Sequence, residues 1–390
     1  MHGRSLVEAW RAAGHDVLCL PQPLLAEGRG PGPAVGRLAW LPTAIHGPIQ
    51  DVRARGVAMW HTRRLARQVE QFEPDVLITR RARYDYSLDA VLRRLGTVYI
   101  AEVNAVLADE AAQFTHQRML SWERRREQNY LLEAPGAVCV AEPVRDHLRA
   151  LGVPDERLRV LPNGVDADLF SPDTKVDRAT ANWASRFRHV YGHVGTMGPT
   201  HDTAGLLDAA AAVLRMQPDA GFLFVGPDLP DLQRQPTWDA ALQPRVLCTG
   251  RIPHREVPSH LAAADVLWAS FRNDHGSPLK LYEFLALAKP VVLAGGGQAV
   301  TVVQESGCGT AMPRGDAAQL AAAAVAIADL TPEERCALGE KGRRWVARRH
   351  TWAAVADEFA RLAAMMTAEA ASAGRGHGQA STPGEVRAIQ

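Results

Sequence analysis

Short runs of consecutive apolar residues recur along the chain, and between them apolar positions return every three or four residues. The runs read as buried strands and the stretches between them as amphipathic helices. In the first half the strand candidates are Asp16–Leu20, Asp75–Arg80, Thr97–Val103, Ala137–Ala141 and Leu158–Leu161. Pro162-Asn163-Gly164-Val165-Asp166 then breaks the pattern with turn chemistry. A second series follows: His189–Val194, Phe222–Val225, Val246–Thr249, Val266–Ala269, Val291–Ala294 and Thr310–Met312. Strands alternating with helices indicate parallel sheets. The series twice over predicts an α/β fold of two doubly wound, Rossmann-like domains, 1–165 and 185–350, facing across a cleft. A last helix, about 351–367, carries Val355, Phe359, Leu362 and Met366 on one stripe, which suits packing back on the first domain. The tail 370–390 is rich in Ala, Gly, Ser and Pro and predicts disorder.

The start departs from this scheme. Gly3 to Ala13 reads as a helix leading into a strand, with no strand-like run before it. The first strand of a doubly wound sheet is usually central. The first domain is therefore expected to lack that strand, so that either translation starts upstream or another segment fills the gap.

The densest chemistry lies in Ser277-Pro278-Leu279-Lys280-Leu281-Tyr282-Glu283. Ser277 reads as an N-cap and Pro278 as the first helical residue. The free N–H groups of such a first turn attract an anion, and Lys280 adds a full charge beside them. Glu283 follows Lys280 by three residues, on the same face about one 5.4 Å turn along. That spacing suits a diphosphate at the helix tip and a ribose bonded to the carboxylate. An ordinary capped helix with solvated Lys and Glu is the alternative.

Composition narrows the field. Of 390 residues 47% are hydrophobic and 22% charged, with a net charge of +1, so bulk charge points to neither nucleic acid nor an acidic membrane. Arg124-Arg125-Arg126 and Arg343-Arg344 read as solvated helix faces, with weak contact to lipid headgroups as the alternative. The five cysteines lack metal-ligand spacing and read as reduced thiols of a cytoplasmic protein, with Cys19, Cys139 and Cys248 in buried strands. No apolar run approaches a membrane span.

Motifs spread over the chain resemble the retaining family 4 glycosyltransferases of GT-B fold. Gly14-His15-Asp16-Val17 resembles the entry to their second strand. Val160 to Asp166, followed by Leu169-Phe170, resembles their linker. Gly195 ends the strand that opens the nucleotide domain, and Gly250-Arg251-Ile252-Pro253 resembles the base-binding loop. Lys280 to Glu283 resembles the ribose-binding helix, and Ser277 to Lys280 a branch marked by "SPLK". The resemblance implies transfer of a hexosyl-type group from a nucleoside-diphosphate sugar to a sugar, lipid or small-molecule acceptor, with retention and without a metal or other cofactor. It implies a donor site of Gly195, Thr196, His201, Arg251, Ile252, Ser277, Pro278, Leu279, Lys280 and Glu283, and a catalytic set of Lys280, Asn104 and His275. Departures accompany it. The family's first glutamate falls on His275, with Asp274 beside it, and its diphosphate Arg and Lys fall on Thr196 and His201. Asn104, in Glu102-Val103-Asn104-Ala105, stands where relatives place a histidine near the sugar, or simply ends a strand in a turn. These losses keep two rivals open, a non-catalytic sugar-nucleotide or partner-binding relative and a sugar-nucleotide epimerase. Gly192 to Gly198 lacks the dinucleotide Gly-x-Gly-x-x-Gly order, and Asp166-Ala167-Asp168 reads as turn chemistry rather than a metal site.

Overall fold

The computed structural model describes residues 2–20, 62–81, 86–105, 121–195, 201–272, 277–313, 316–374 and 388–389. Contacts divide the chain into two units. The first holds Met1–Val140, Val144–Leu161 and Ala356–Gln390, and the second holds Ala141–Pro143 and Pro162–Val355.

In the first unit, β2 (Leu77–Thr79), β3 (Tyr99–Val103), β4 (Gly136–Cys139) and β5 (Leu158–Val160) form a parallel sheet in that order. β2, β3 and β4 are buried along their whole length, as strands covered on both faces must be. Helix α1 (His2–Ala12) precedes β1 (Val17–Leu18), and no described strand precedes α1. The partner of β1 comes from the far end of the chain. β12 (Ala388–Ile389) pairs parallel with β1, Val17 opposite Ala388 and Leu18 opposite Ile389, and also lies against β2. The tail is thus not wholly disordered as expected: one long helix runs Trp352–Gly374, and β12 follows. From Ala356 onward that helix belongs to the first unit. Trp10 of α1 donates its indole N–H to Ala356 O at 2.9 Å and packs edge-on against Phe359, with ring centroids 5.4 Å apart.

The second unit has a six-stranded parallel sheet: β6 (His189–Val194), β7 (Ala220–Val225), β8 (Val246–Cys248), β9 (Val266–Ser270), β10 (Val291–Gly295) and β11 (Gly309–Pro313). Their spatial order is β11-β10-β9-β6-β7-β8. The chain therefore starts in the middle at β6, winds one way to β8, then returns to β9 and winds the other way. The reversal opens a crevice at the carboxyl ends of β6 and β9, where ligands of such sheets bind. Helix α2 (Thr203–Met216) leaves the crevice after β6, and α3 (Leu279–Ala286) leaves it after β9. Apolar clusters cover both sheet faces, one centred on Leu267, Leu281 and Leu285, the other on Tyr191, Phe222 and Trp268. The linker motif is fastened inside this unit: Val165 bridges to Thr351, and Arg343 donates to Ala167 O, Phe170 O and Ala286 O at 3.0, 2.9 and 2.8 Å.

Two surface expectations need correction. Arg343 is an internal tie, and Arg126 pairs with Asp89, so neither basic cluster is simply a solvated face; Arg124, Arg125 and Arg344 are exposed. Cys19 is exposed, because β1 ends at Leu18, one residue before it. No helix among the described residues is long and apolar enough to cross a membrane.

Candidate donor site at the crevice of the second unit

The site begins with α3. Its start differs from the expected N-cap arrangement. Pro278, with φ −76° and ψ 105°, is the cap residue, and Leu279 is the first helical residue. The Ser277 hydroxyl caps nothing. It accepts from Asn163 N at 3.2 Å and meets Tyr282 Oη at 3.2 Å, while Asn163 Nδ2 donates to Ser277 O at 2.7 Å. The linker's asparagine has recruited this serine, so among the described residues no side chain caps the helix. Leu281 N turns back to Pro278 O at 3.0 Å, and the N–H groups of Leu279 and Lys280 ahead of it stay suited to an anion.

Lys280 reaches from that turn to the end of β6. Its Nζ lies 3.1 Å from His201 Nε2 and 5.4 Å from the centroid of the Phe271 ring. His201 is placed by an antiparallel bridge to Phe271, just past β9. The next residue, Asp202, caps α2 and is engaged there by Gly205 N, Ser270 Oγ and Arg272. Gly195, with φ +151°, closes β6 under the lysine. A Cβ at that position would stand 2.6 Å from Lys280 Nζ, 3.4 Å from His193 Nε2 and 3.6 Å from His201 Cε1. A side chain there would push the ammonium aside, while the two rings would stay in ordinary contact. Burial lowers the Lys280 ammonium to about 7, with Glu283 pulling the other way. Burial and the neighbouring lysine lower His201 to about 4 and hold His193 well below its ordinary value.

One turn along α3, the buried Glu283 carboxylate accepts from His254 Nε2 at 2.7 Å. His254 follows the loop Gly250-Arg251-Ile252-Pro253 and packs at a tilt against Phe170 of the linker, centroids 5.2 Å apart. The loop Gly250 to Pro253 is thereby tied to α3. Ile252 packs on the apolar cluster and Arg251 is exposed. The structure therefore gathers Gly195, His201 and Lys280 around one point, with Glu283 one turn farther and Ser277 holding the linker. Thr196 and His275 lie outside the described residues, as does Asp274. Sequence reasoning missed His193 and His254. His193 sat in a strand read as core, and nothing local to His254 pointed to a carboxylate 29 residues on.

Asn104 belongs to the first unit, beyond the carboxyl end of β3. It lines a cavity of about 270 Å³ with Arg80, Arg81, Glu102, Glu127 and Tyr130 among others. Arg80 donates to Glu102 at 2.5 and 3.1 Å, and Asn104 Oδ1, turned to the same guanidinium, accepts at 2.7 and 2.9 Å. Asn104 is thus held by a neighbouring strand's arginine, and its amide N–H₂ faces away from that fork.

Comparison with known proteins bears on this arrangement. A family model described as Glycosyltransferase Family 4 matches residues 1–169, and one described as Glycosyl transferases group 1 matches residues 188–329. A GDP-mannose-dependent alpha-(1-6)-phosphatidylinositol monomannoside mannosyltransferase of Mycolicibacterium smegmatis is 30% identical over 213 residues, 51% of this chain and 54% of its own length. The chain spans about half the length of the curated relatives it matches. Among solved structures, Anabaena HepE in complex with UDP and glucose is similar at a TM-score of 0.62, with 16% identity over 78% of this chain and 80% of that one. A glycosyltransferase from Rickettsia africae reaches a TM-score of 0.64, with 14% identity over 80% and 81%.

Proposed function

The chain belongs to the family 4 glycosyltransferases of GT-B fold, and from that premise we propose that it moves a glycosyl group from a nucleoside-diphosphate sugar to an acceptor hydroxyl. The observation that carries the reading is the gathering of Lys280, His201 and Gly195 at the switch-point crevice, one helical turn from the buried Glu283. Lys280 and the first-turn N–H groups of α3 hold the diphosphate. Glu283, oriented by His254, takes the ribose hydroxyls, and the Arg251-Ile252 loop flanks the base. Stabilising charge where it develops on the leaving group is the main electrostatic lever for such a reaction.

The proposed chemistry retains the anomeric configuration. The donor's bond from C1 to the diphosphate oxygen breaks, and the acceptor oxygen joins C1 on the same face. The acceptor proton passes to the departing diphosphate oxygen. No metal is assigned, because a lysine and a helix N-terminus answer the diphosphate charge. Asn104 and His275 are assigned to the sugar. The donor to try first is GDP-mannose, after the mycobacterial relative.

The test is incubation with GDP-, UDP-, ADP- and dTDP-sugars and NMR of the product's anomeric proton. Transfer with retention supports the proposal, and inversion overturns the mechanism. Glu283→Gln is expected to weaken nucleotide binding at least tenfold by calorimetry, a charge-assisted bond being worth about 1.5–3 kcal/mol. Unchanged affinity removes the ribose assignment.

A further inference from the structure

The crevice holds more nitrogen than a fixed pair of positive charges needs. His193, on the buried side, is 1% exposed. Its Nδ1 lies 3.0 Å from Trp268 O, a carbonyl that can only accept, so Nδ1 carries the proton and Nε2 the lone pair. That Nε2 has no hydrogen-bond partner among the described residues, nor has His201 Nδ1. Buried polar atoms are seldom left so, and Lys280 Nζ, His193 Nε2 and the edge of the His201 ring at Cε1 converging beside Gly195 mark a place made for a ligand atom.

We propose that His193, His201 and Lys280 form a proton-coupled diphosphate site, which holds few protons when empty and takes up protons as the diphosphate binds. This rests on the reading of the second unit as the nucleotide site and adds His193 to it.

The groups around the cluster leave it short of balancing charge. Glu283, on the same helix as Lys280, is the carboxylate that pulls on the ammonium, and it is engaged by His254. From the β9 side comes the Phe271 ring. From β6 comes His193, and from the segment before α2 comes His201. Asp202, beside His201, is occupied by the α2 cap, Ser270 and Arg272. Burial disfavours a proton on all three, Lys280 disfavours one on each histidine, and His201 disfavours one on His193. A diphosphate reverses this, because an anion within about 4–6 Å favours the charged forms. Protons then enter from solvent: Lys280 becomes fully ammonium, and the His193 lone pair becomes an N–H donor to phosphate oxygen. Such uptake makes affinity fall as pH rises, by up to tenfold per pH unit for each proton taken up.

The experiment is calorimetric titration at pH 8.0 with GDP, UDP, ADP and dTDP, whose terminal phosphates are then ionised, in Hepes and in Tris. Their different ionisation enthalpies report proton uptake. Uptake of about half a proton or more, with affinity falling about three- to tenfold from pH 7.5 to 8.5, is expected. Histidine ¹⁵N spectra should show a lone-pair nitrogen that becomes protonated on saturation, in His201→Asn as in the native protein. Binding without proton uptake overturns the proposal and leaves the nucleotide site standing. Failure of all four nucleotides to bind overturns both.

Discussion

Lys280 sits where it costs the fold, and the proposed function gives that cost a purpose. Its ordinary value of 10.5 falls to about 7 on folding. The unfolded chain therefore binds the proton more tightly between those values, and stability rises with pH across that window. Below about pH 7 the whole penalty is felt, and above about 10.5 none. Lys280→Met, which fills similar space without the charge, is expected to raise Tm at pH 7 and to raise it less at pH 10, while nucleotide affinity drops at least tenfold. A lower Tm at pH 7 would show that the lysine is a structural strut. At this scale Lys280 and Glu283 were legible, because their three-residue spacing is a property of one helix. His193 and His254 were not, since each meets its partner through sheet register or a loop. Ser277 was misread, because its hydroxyl accepts from the backbone N–H of Asn163, 114 residues away, and caps no N–H of its own helix.

Among the elements, the parallel strands were readable from their apolar runs, since burial on both faces leaves no polar alternation. Their order was not, and the order creates the crevice by bringing β9 back beside β6. The strand next to β1 was beyond local reading. β12 has two paired residues in a tail whose composition suggests disorder, and its pairing with β1 and its place against β2 give it shape. A truncation removing residues 386–390 is expected to lower Tm by several degrees, about 1 kcal/mol being worth roughly 2–4 °C in a chain of this size. It should also speed amide exchange at Val17 and Leu18. Unchanged Tm and exchange would mean that β12 contributes nothing to the sheet.

At the scale of the whole molecule, buried and half-buried histidines are expected to set the acid limit. His201 and His350 are each held near 4, and His193 well below its ordinary value, by burial. The unfolded chain binds these protons near pH 6.5 and the folded one only lower. Their contribution is present in full above about pH 6.5 and fades as pH falls toward 4. Thermal unfolding without ligand should show Tm dropping over that interval, and less in His350→Phe. Equal pH dependence in that variant would contradict the lowered proton affinity of His350.

The central claim is that Lys280 and its neighbours hold a diphosphate. Calorimetry of Lys280→Ala with the best nucleoside diphosphate and with its bare nucleoside tests it most directly. The account predicts at least a tenfold loss for the diphosphate and a loss within about twofold for the nucleoside. Equal losses for the two ligands would contradict it.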